Sequence, residues 1–493
     1  MTITNFDILN KNYLIFIFVW FSVFCQIITA QPKQEMRAVW LTVNHNLDWP
    51  RTVANSKLEI EQQKDALNTI LDKLQEVNIN LVFFQTRIRG TVIYKSITEP
   101  FTTLIKSKSC RTEFDALAYA IEGCHKRGME LHAWFVVYPL GPNNKNLSKM
   151  LLQSDIVKKF KNDYYINPGN PKTVPYLVGL IKELVSEYDI DGVHFDYIRY
   201  PDGATKFPDS REYQCYGDGK SLDSWRRENI NQFVYAAYDA VKALKPYVAV
   251  SSSVVGMYNR LPEVNRKHWT AYHSVYQDPV DWIKKGKHDF IVPMLYNRNE
   301  LFFPFVEDWK KRCHGSSIVP GLGLYMVKES GWDADVITEQ IRYLRKNKID
   351  GYAFFRVRNL TENNEFYKIL KSEYFYEPAL LPVLSKNNVS KPQPPTDIYA
   401  EKQNDYLYLS WAKPDNTNDK KLFYNLYRSE TFPIDIENPR NMIAVKLKKE
   451  NCKIRIDNSK ETVYYYAVTA YDRFHNESKI SESAMFVTSE FEK

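Results

Sequence analysis

Cysteine is scarce and scattered in this sequence. Of six, Cys25 lies near the amino terminus. The other five (Cys110, Cys124, Cys215, Cys313 and Cys452) are odd in number and too widely spaced for a zinc ligand set or a disulfide framework. Glycine forms no Gly-rich turn between strand and helix, so a doubly wound nucleotide-binding sheet lacks its usual signature. The net charge of +7 is spread without a basic run of five or more, and nucleic acid is not an expected partner. A GxSxG elbow, a P-loop and an HExxH helix are all absent, which removes three common catalytic devices. His132, His194 and Asp196 are the residues a metal site would draw on. No short-spaced histidine pair supports one, so no metal or other cofactor is expected. Oligomeric state leaves no trace in the sequence.

Long apolar runs are missing too. The stretch YLIFIFVWFSVF (13–24) is only twelve residues long, too short to cross a bilayer but suited to the core of a signal peptide. With Lys11 before it and Ala30 at the cleavage position, it predicts a signal peptide over 1–30 and export to the periplasm or cell envelope, with no membrane span in the mature chain. Cys25 raises lipid anchoring as the alternative, against which stands the bulky Phe24 before it.

What is abundant is aromatic: 14% of residues, including 34 tyrosines and 10 tryptophans, a supply that suits stacking against sugar rings. Between residues 36 and 357, β-rich runs alternate with amphipathic helical segments. The strand candidates are 36–43, 80–87, 129–138, 191–200, 248–255, 289–297, 317–325 and 350–357. Eight strands, each with room for a helix after it, predict a (β/α)8 TIM-type barrel over 31–380. YDIDGVHFDY (188–197) and NKIDGYAFFR (347–356) share Ile-Asp-Gly where a helix hands over to a strand. That echo places Asp191 at the stability end of its strand and Asp196 at the C-terminal end, where barrel active sites sit. A proline-rich linker is expected over 381–392. Period-two alternation then predicts a small all-β immunoglobulin-like sandwich over 393–493, in which Trp411 and the ladder Tyr464, Tyr466, Val468, Ala470 resemble a fibronectin type III module.

Side-chain alternation puts His194, Asp196 and Ile198 on one face of the fourth strand, opposite Val193, Phe195 and Tyr197. By the same parity Gln85, Arg87 and Arg89 share a face on the second strand, and His132 and Trp134 on the third. Tyr296 and Arg298 do so on the sixth, and Arg356 ends the eighth. Together they suggest a polar, aromatic mouth in which Arg87, His132, Trp134, His194, Tyr296 and Arg356 orient a sugar.

The motifs EMRAVWLTV, FFQTRIRGTVIYKS, FDALAYAIEGCHKRGMELHAWF, YYINPGNP, DGVHFDYIRYP, YQDPVDWIKKGKHDFIVPMLYN and GYAFF occur in this order. Over about 35–375 the chain resembles the glycosyl-hydrolase-like family 10 proteins, bacterial exported barrels. The resemblance implies a glycoside hydrolase acting on peptidoglycan glycan strands, with Asp196 as the strand-4 aspartate and Tyr276, Gln277 and Asp278 as a YQDW-like loop. Many relatives carry an Asn-Pro and an arginine after HAWF, whereas this chain has Val136, Val137, Tyr138 and Pro139. DGVHFD is also similar to the nucleophile strand of α-amylase-type barrels. A chitinase strand would require a glutamate where Ile198 stands. Glycoside hydrolysis uses two carboxylates. Asp196 is therefore expected as nucleophile or electrostatic stabiliser and Asp278 as acid/base, with Asp48, Glu99, Asp202 and Glu300 as further candidates. The alternative is a non-catalytic glycan-binding scaffold of the cell envelope.

Overall fold

The alternation between residues 36 and 357 closes into a ring in the computed structural model, which describes residues 31–142, 147, 149–264, 268–313, 315–383, 390–414, 421–456 and 462–488. The expected signal segment 1–30 lies outside the described residues, as does 384–389 of the expected linker. The barrel strands are β1 (Met36–Leu41), β2 (Leu81–Ile88), β3 (Glu130–Val136), β4 (Gly192–Asp196), β5 (Ala249–Val255), β6 (Phe290–Met294), β7 (Gly321–Leu322) and β8 (Gly351–Phe354). Each pairs in parallel with its neighbours in chain order, and β1 closes the ring by pairing with both β2 and β8.

The helices that come after the strands are α1 (Lys57–Glu76), α2 (Ala116–Lys126), α3 (Thr173–Glu187), α4 (Leu222–Leu244), α5 (Pro279–Lys284), α6 (Phe303–Cys313), α7 (Ala334–Lys346) and α8 (Asn364–Ile369). Their starts are locally encoded. In α1, the Ser56 hydroxyl accepts from Glu59 N, and a Glu59 carboxylate oxygen accepts from Asn55 N and the Ser56 hydroxyl, close to a capping box. Ile60, Leu67, Leu71 and Leu74 then turn one stripe of α1 onto the sheet.

Strand alternation splits the apolar residues into two sets. Val39, Val82, Phe84, Ala133, Phe135, Val193 and Phe195 pack outward under the helices, while Ala38, Trp40, Phe83, Trp134 and Phe290 fill the barrel. The seventh strand is shorter than the expected 317–325. Ser317–Ile318 and Gly321–Leu322 pair separately, interrupted around Pro320, which has no N–H to give to a ladder. The echo at the two Ile-Asp-Gly junctions has a steric cause. A Cβ at Gly192 would run into the His132 ring, and one at Gly351 into the Met36 carbonyl.

The carboxy-terminal region forms β9 (Thr396–Gln403), β10 (Tyr406–Ala412), β11 (Phe423–Ser429), β12 (Met442–Leu447), β13 (Asn451–Arg455), β14 (Thr462–Tyr471) and β15 (Ala484–Thr488). They make antiparallel sheets of three and four strands. Leu407, Leu409 and Trp411 from one sheet meet Tyr424, Leu426 and Val468 from the other in a shared core. Leu381, placed at the start of the expected linker, is instead buried in the barrel's interior cluster.

This module docks on the N-terminal ends of the barrel strands through buried charge. One Glu130 oxygen receives Lys446 Nζ at 2.6 Å and His475 Nε2 at 2.8 Å. Asp191 takes His125 at 2.7 Å and the Leu131 N–H at 3.0 Å, and Arg473 bridges it to Asp189. Burial alone would raise the Glu130 carboxyl, but His475 and Lys446 outweigh it and hold it well below the usual carboxylate range.

Candidate active site

At the opposite end, the strand C-termini surround a cavity of about 620 Å³. Asp196, the last residue of β4, stands in its wall and is 5% exposed. Both oxygens are engaged: Trp134 Nε1 donates to Oδ2 at 3.0 Å, and the Tyr197 N–H donates to Oδ1 at 2.7 Å. Burial pushes the Asp196 carboxyl above its ordinary range, against the opposing pull of Arg199 and these two hydrogen bonds. Among the described residues lining this cavity, Asp196 is the one carboxylate. Tyr296 faces it from the strand-6 end; burial first, and the Asp196 charge second, keep that phenol strongly protonated. The cavity continues past Asn44, Gln85 and Tyr197 into a hollow of about 240 Å³ holding Arg89, Asp163 and Tyr165. Asp163 lies on an antiparallel hairpin (157–160 with 163–166) inserted between β3 and α3.

Of the residues singled out from the sequence, Gln85, Trp134, Asp196 and Tyr296 meet at this mouth. His194 lies one layer deeper, level with Trp134 in the strand register. Its ring stacks on Phe83 at 3.9 Å, and its nitrogens meet the Ser251 and Ser253 hydroxyls at 2.9 and 2.7 Å. Burial, then His132 and His288, push its pKa far down, so it is a neutral packing residue of the barrel floor. His132 is a layer deeper still, fully buried against Glu130 at 3.2 Å. His132, His194 and Asp196 thus occupy successive layers and do not converge as metal ligands would.

Arg87 is turned away from the mouth. The β2–β3 register shifts between Gln85 and Arg87, a bulge that reverses side-chain parity. Arg87 therefore points outward, where Glu99 grips it through two bonds of 2.8 and 2.6 Å and it also donates to the Val136 and Val137 carbonyls. That pairing commits Glu99 as well. Arg356 braces the rim by donating to Asp48 at 2.9 Å, and Asp48 is spent on that bond and on the Thr42 and Arg358 N–H groups. Asp278 is not among the residues lining the mouth. Its carboxylate caps α5 through the Asp281 N–H and accepts the Tyr258 hydroxyl at 2.9 Å. Its neighbour Gln277 ties the Val255 N–H to the Ile198 carbonyl, so this loop holds the ends of β4 and β5 together from behind. Asp202 and Glu300 are exposed and line neither hollow.

Sequence reasoning missed the turn of the chain just after Asp196. Tyr197 takes a left-handed backbone, φ 52°, which breaks the strand alternation. Ile198 is consequently buried under the helices, while Tyr197 and Arg199 face the cavity together with Trp269 from a distant loop. A tyrosine carries no sequence mark for that conformation, and nothing near Trp269 announces its partner.

The model of the family described as Glycosyl hydrolase-like 10 matches residues 35–313. Glycosyl hydrolase YngK of Bacillus subtilis (strain 168) is 29% identical over 485 residues, covering 92% of this chain and 94% of its own. Glycosyl hydrolase DigH of Escherichia coli (strain K12) is 30% identical over 298 residues, covering 54% of this chain and 67% of its own. Among solved structures, the PgaB (BpsB) glycoside hydrolase domain from Bordetella bronchiseptica superposes with a TM-score of 0.49 at 13% identity, covering 69% of this chain and 99% of that one.

Proposed function

The chain belongs to the glycosyl hydrolase-like 10 family, and from that premise we propose that its barrel mouth hydrolyses glycosidic bonds of a bacterial polysaccharide, peptidoglycan glycan strands first among them. The observation that carries the reading is Asp196: a carboxyl held above its ordinary pKa, fixed by two donors, in the wall of a sugar-sized aromatic cavity. A carboxyl whose pKa is raised by burial suits the acid of the reaction better than the anionic role its strand position first suggests. Asp196 gives its proton to the bridging oxygen as the bond from that oxygen to the anomeric carbon breaks. Water bonds to the carbon and surrenders a proton to a base. Asp278, committed to its cap, is poorly placed for that second role, whereas Asp163 brings a carboxylate into the continuous groove and is assigned it here. Tyr296 offers a hydroxyl to the sugar, and Trp134 steadies Asp196 through its indole N–H.

Export belongs to the same proposal. Gln31, the first residue after the expected cleavage point, is already docked, its amide donating to the Pro378 carbonyl at 3.1 Å. The test is incubation of the purified chain with peptide-free glycan strands, amylose and chitin, followed by assay of new reducing ends. Release from the glycan strands is expected. Binding without product on every polymer would instead favour a glycan-binding scaffold.

A further inference from the structure

The buried arginines among the described residues are matched to carboxylates. Arg37 and Arg345 share Glu35, Arg87 has Glu99, Arg226 has Asp209 and Arg356 has Asp48. Arg199, in the wall of the mouth cavity beside Asp196, differs. Among the described residues it makes no ion pair; its Nη1, shut off from solvent, also has no hydrogen-bond partner, a lack that Arg37 Nη2 and Arg345 Nη1 share despite their ion pairs. Its guanidinium carbon lies 4.8 Å from the Tyr197 ring centroid and 4.8 Å from that of Trp269. Those rings are 44% and 39% exposed, open to whatever enters the cavity.

The two aromatic rings lie against the cation, and its Nη1 is left without an acceptor. A flat guanidinium so held can offer two parallel N–H donors, the geometry that a carboxylate accepts bidentately and that an ammonium does not reproduce. Asp196 lies near enough to feel its charge, but among the described residues no ion pair links the two. An unpaired N–H in the wall of a largely apolar cavity is costly to leave so, and a ligand that supplies the acceptor recovers that cost on binding.

We infer that Arg199, clamped between Tyr197 and Trp269, is a subsite for a carboxylate carried by the substrate sugar, set next to the bond that Asp196 protonates. This rests on the reading of the mouth as a glycan site. The carboxylate has two chemical sources: a lactyl ether on an N-acetylated amino sugar whose amide-linked peptide is gone, or the ring carboxylate of a uronic acid. In either case an amide at that position removes the charge, so the subsite selects for the free acid.

The test measures binding by calorimetry in an Asp196→Asn background, where nothing is turned over. The probes are tetrasaccharides of equal length: neutral chitotetraose, an alternating N-acetylglucosamine–N-acetylmuramic acid chain with free lactyl groups, and an oligogalacturonide. At least one acidic probe should bind about tenfold or more tightly than the neutral one. Which of the two binds more tightly identifies the source. Adding Arg199→Met should erase the preference without weakening chitotetraose to the same degree. Arg199→Lys, which keeps the charge and guards against misfolding of the first variant, should restore only part of it. Equal affinity for acidic and neutral probes, or an equal loss on all probes in Arg199→Met, overturns the subsite. The wild-type reducing-end assay is read separately. A carboxylate preference with no turnover of any polymer removes the hydrolase reading and keeps the subsite; turnover with no preference does the reverse.

Discussion

Strand β4 and the residue before it carry two aspartates into opposite surroundings. At the N-terminal end Asp191 sits in a set of matched charges: His125 and Arg473 face it, Lys446 and His475 face Glu130, and Arg473 and Lys421 face Asp189. The hollow left between barrel and module there is only about 20 Å³. At the C-terminal end Asp196 borders about 620 Å³ of space, with its pKa pushed up and the nearby guanidinium of Arg199 without an ion pair among the described residues. The same residue types serve both ends. Where each charge is complemented from within, it holds two domains together; where complementation is withheld, the charge is available to a ligand.

The largest test of that contrast is Asp196→Asn. It should lower kcat on a cleaved glycan by about 10³-fold or more, the scale of a lost general acid. Because the carboxyl is already costly to ionise where it stands, Tm should move by less than about 3 °C. Glu130→Gln should do the reverse. Leaving Lys446 and His475 without their buried carboxylate should cost about 3–5 kcal/mol in urea unfolding, while kcat/KM of the folded enzyme stays within about twofold of wild type. Should Glu130→Gln lower turnover as much as stability, the two ends are not separable and the comparison fails.

The pH dependences should also run in opposite directions. The folded chain holds the Glu130 carboxyl below its ordinary value of about 4.5, so the unfolded chain takes up that proton first. This contribution to stability is full above that pH and is lost as pH falls through the lower folded value. Asp196 is raised, so its proton is lost late, and activity that needs the proton declines as pH rises through the raised value. Stability should therefore fail on the acid side and turnover on the alkaline side, which paired denaturation and rate profiles will show. The smallest effect is expected from Trp134→Phe. It removes the indole donor to Asp196 Oδ2, a bond that draws the pKa down. The alkaline limb should move upward, with a loss in kcat of no more than about tenfold.

These surroundings were only partly legible in the sequence. Barrel strands, helices and the two Ile-Asp-Gly junctions follow from periodicity and from glycine at close approaches, and these are local properties. The inward set Trp134, His194 and Asp196 follows from alternation as long as the strand is regular. Alternation fails where one residue inverts it without altering composition. The register shift before Arg87 sends an expected mouth residue outward, and the left-handed backbone at Tyr197 brings Arg199 in and takes Ile198 out. The contrast between Ile198 and a chitinase glutamate thus concerned a position that does not face the mouth at all. Asp278 was drawn from a motif whose work is capping α5, and Trp269 and Asp163 come from insertions whose placement is a matter of tertiary packing alone.

The docking of the module on the strand N-termini gives the molecule a front and a back. Coupling the protein to a bead, a membrane mimic or a fusion partner through the module's outer sheet would orient every copy with its entrance facing away from the support. Polymer would then approach from the open side, and a long chain could be gripped at the mouth without threading past the point of attachment.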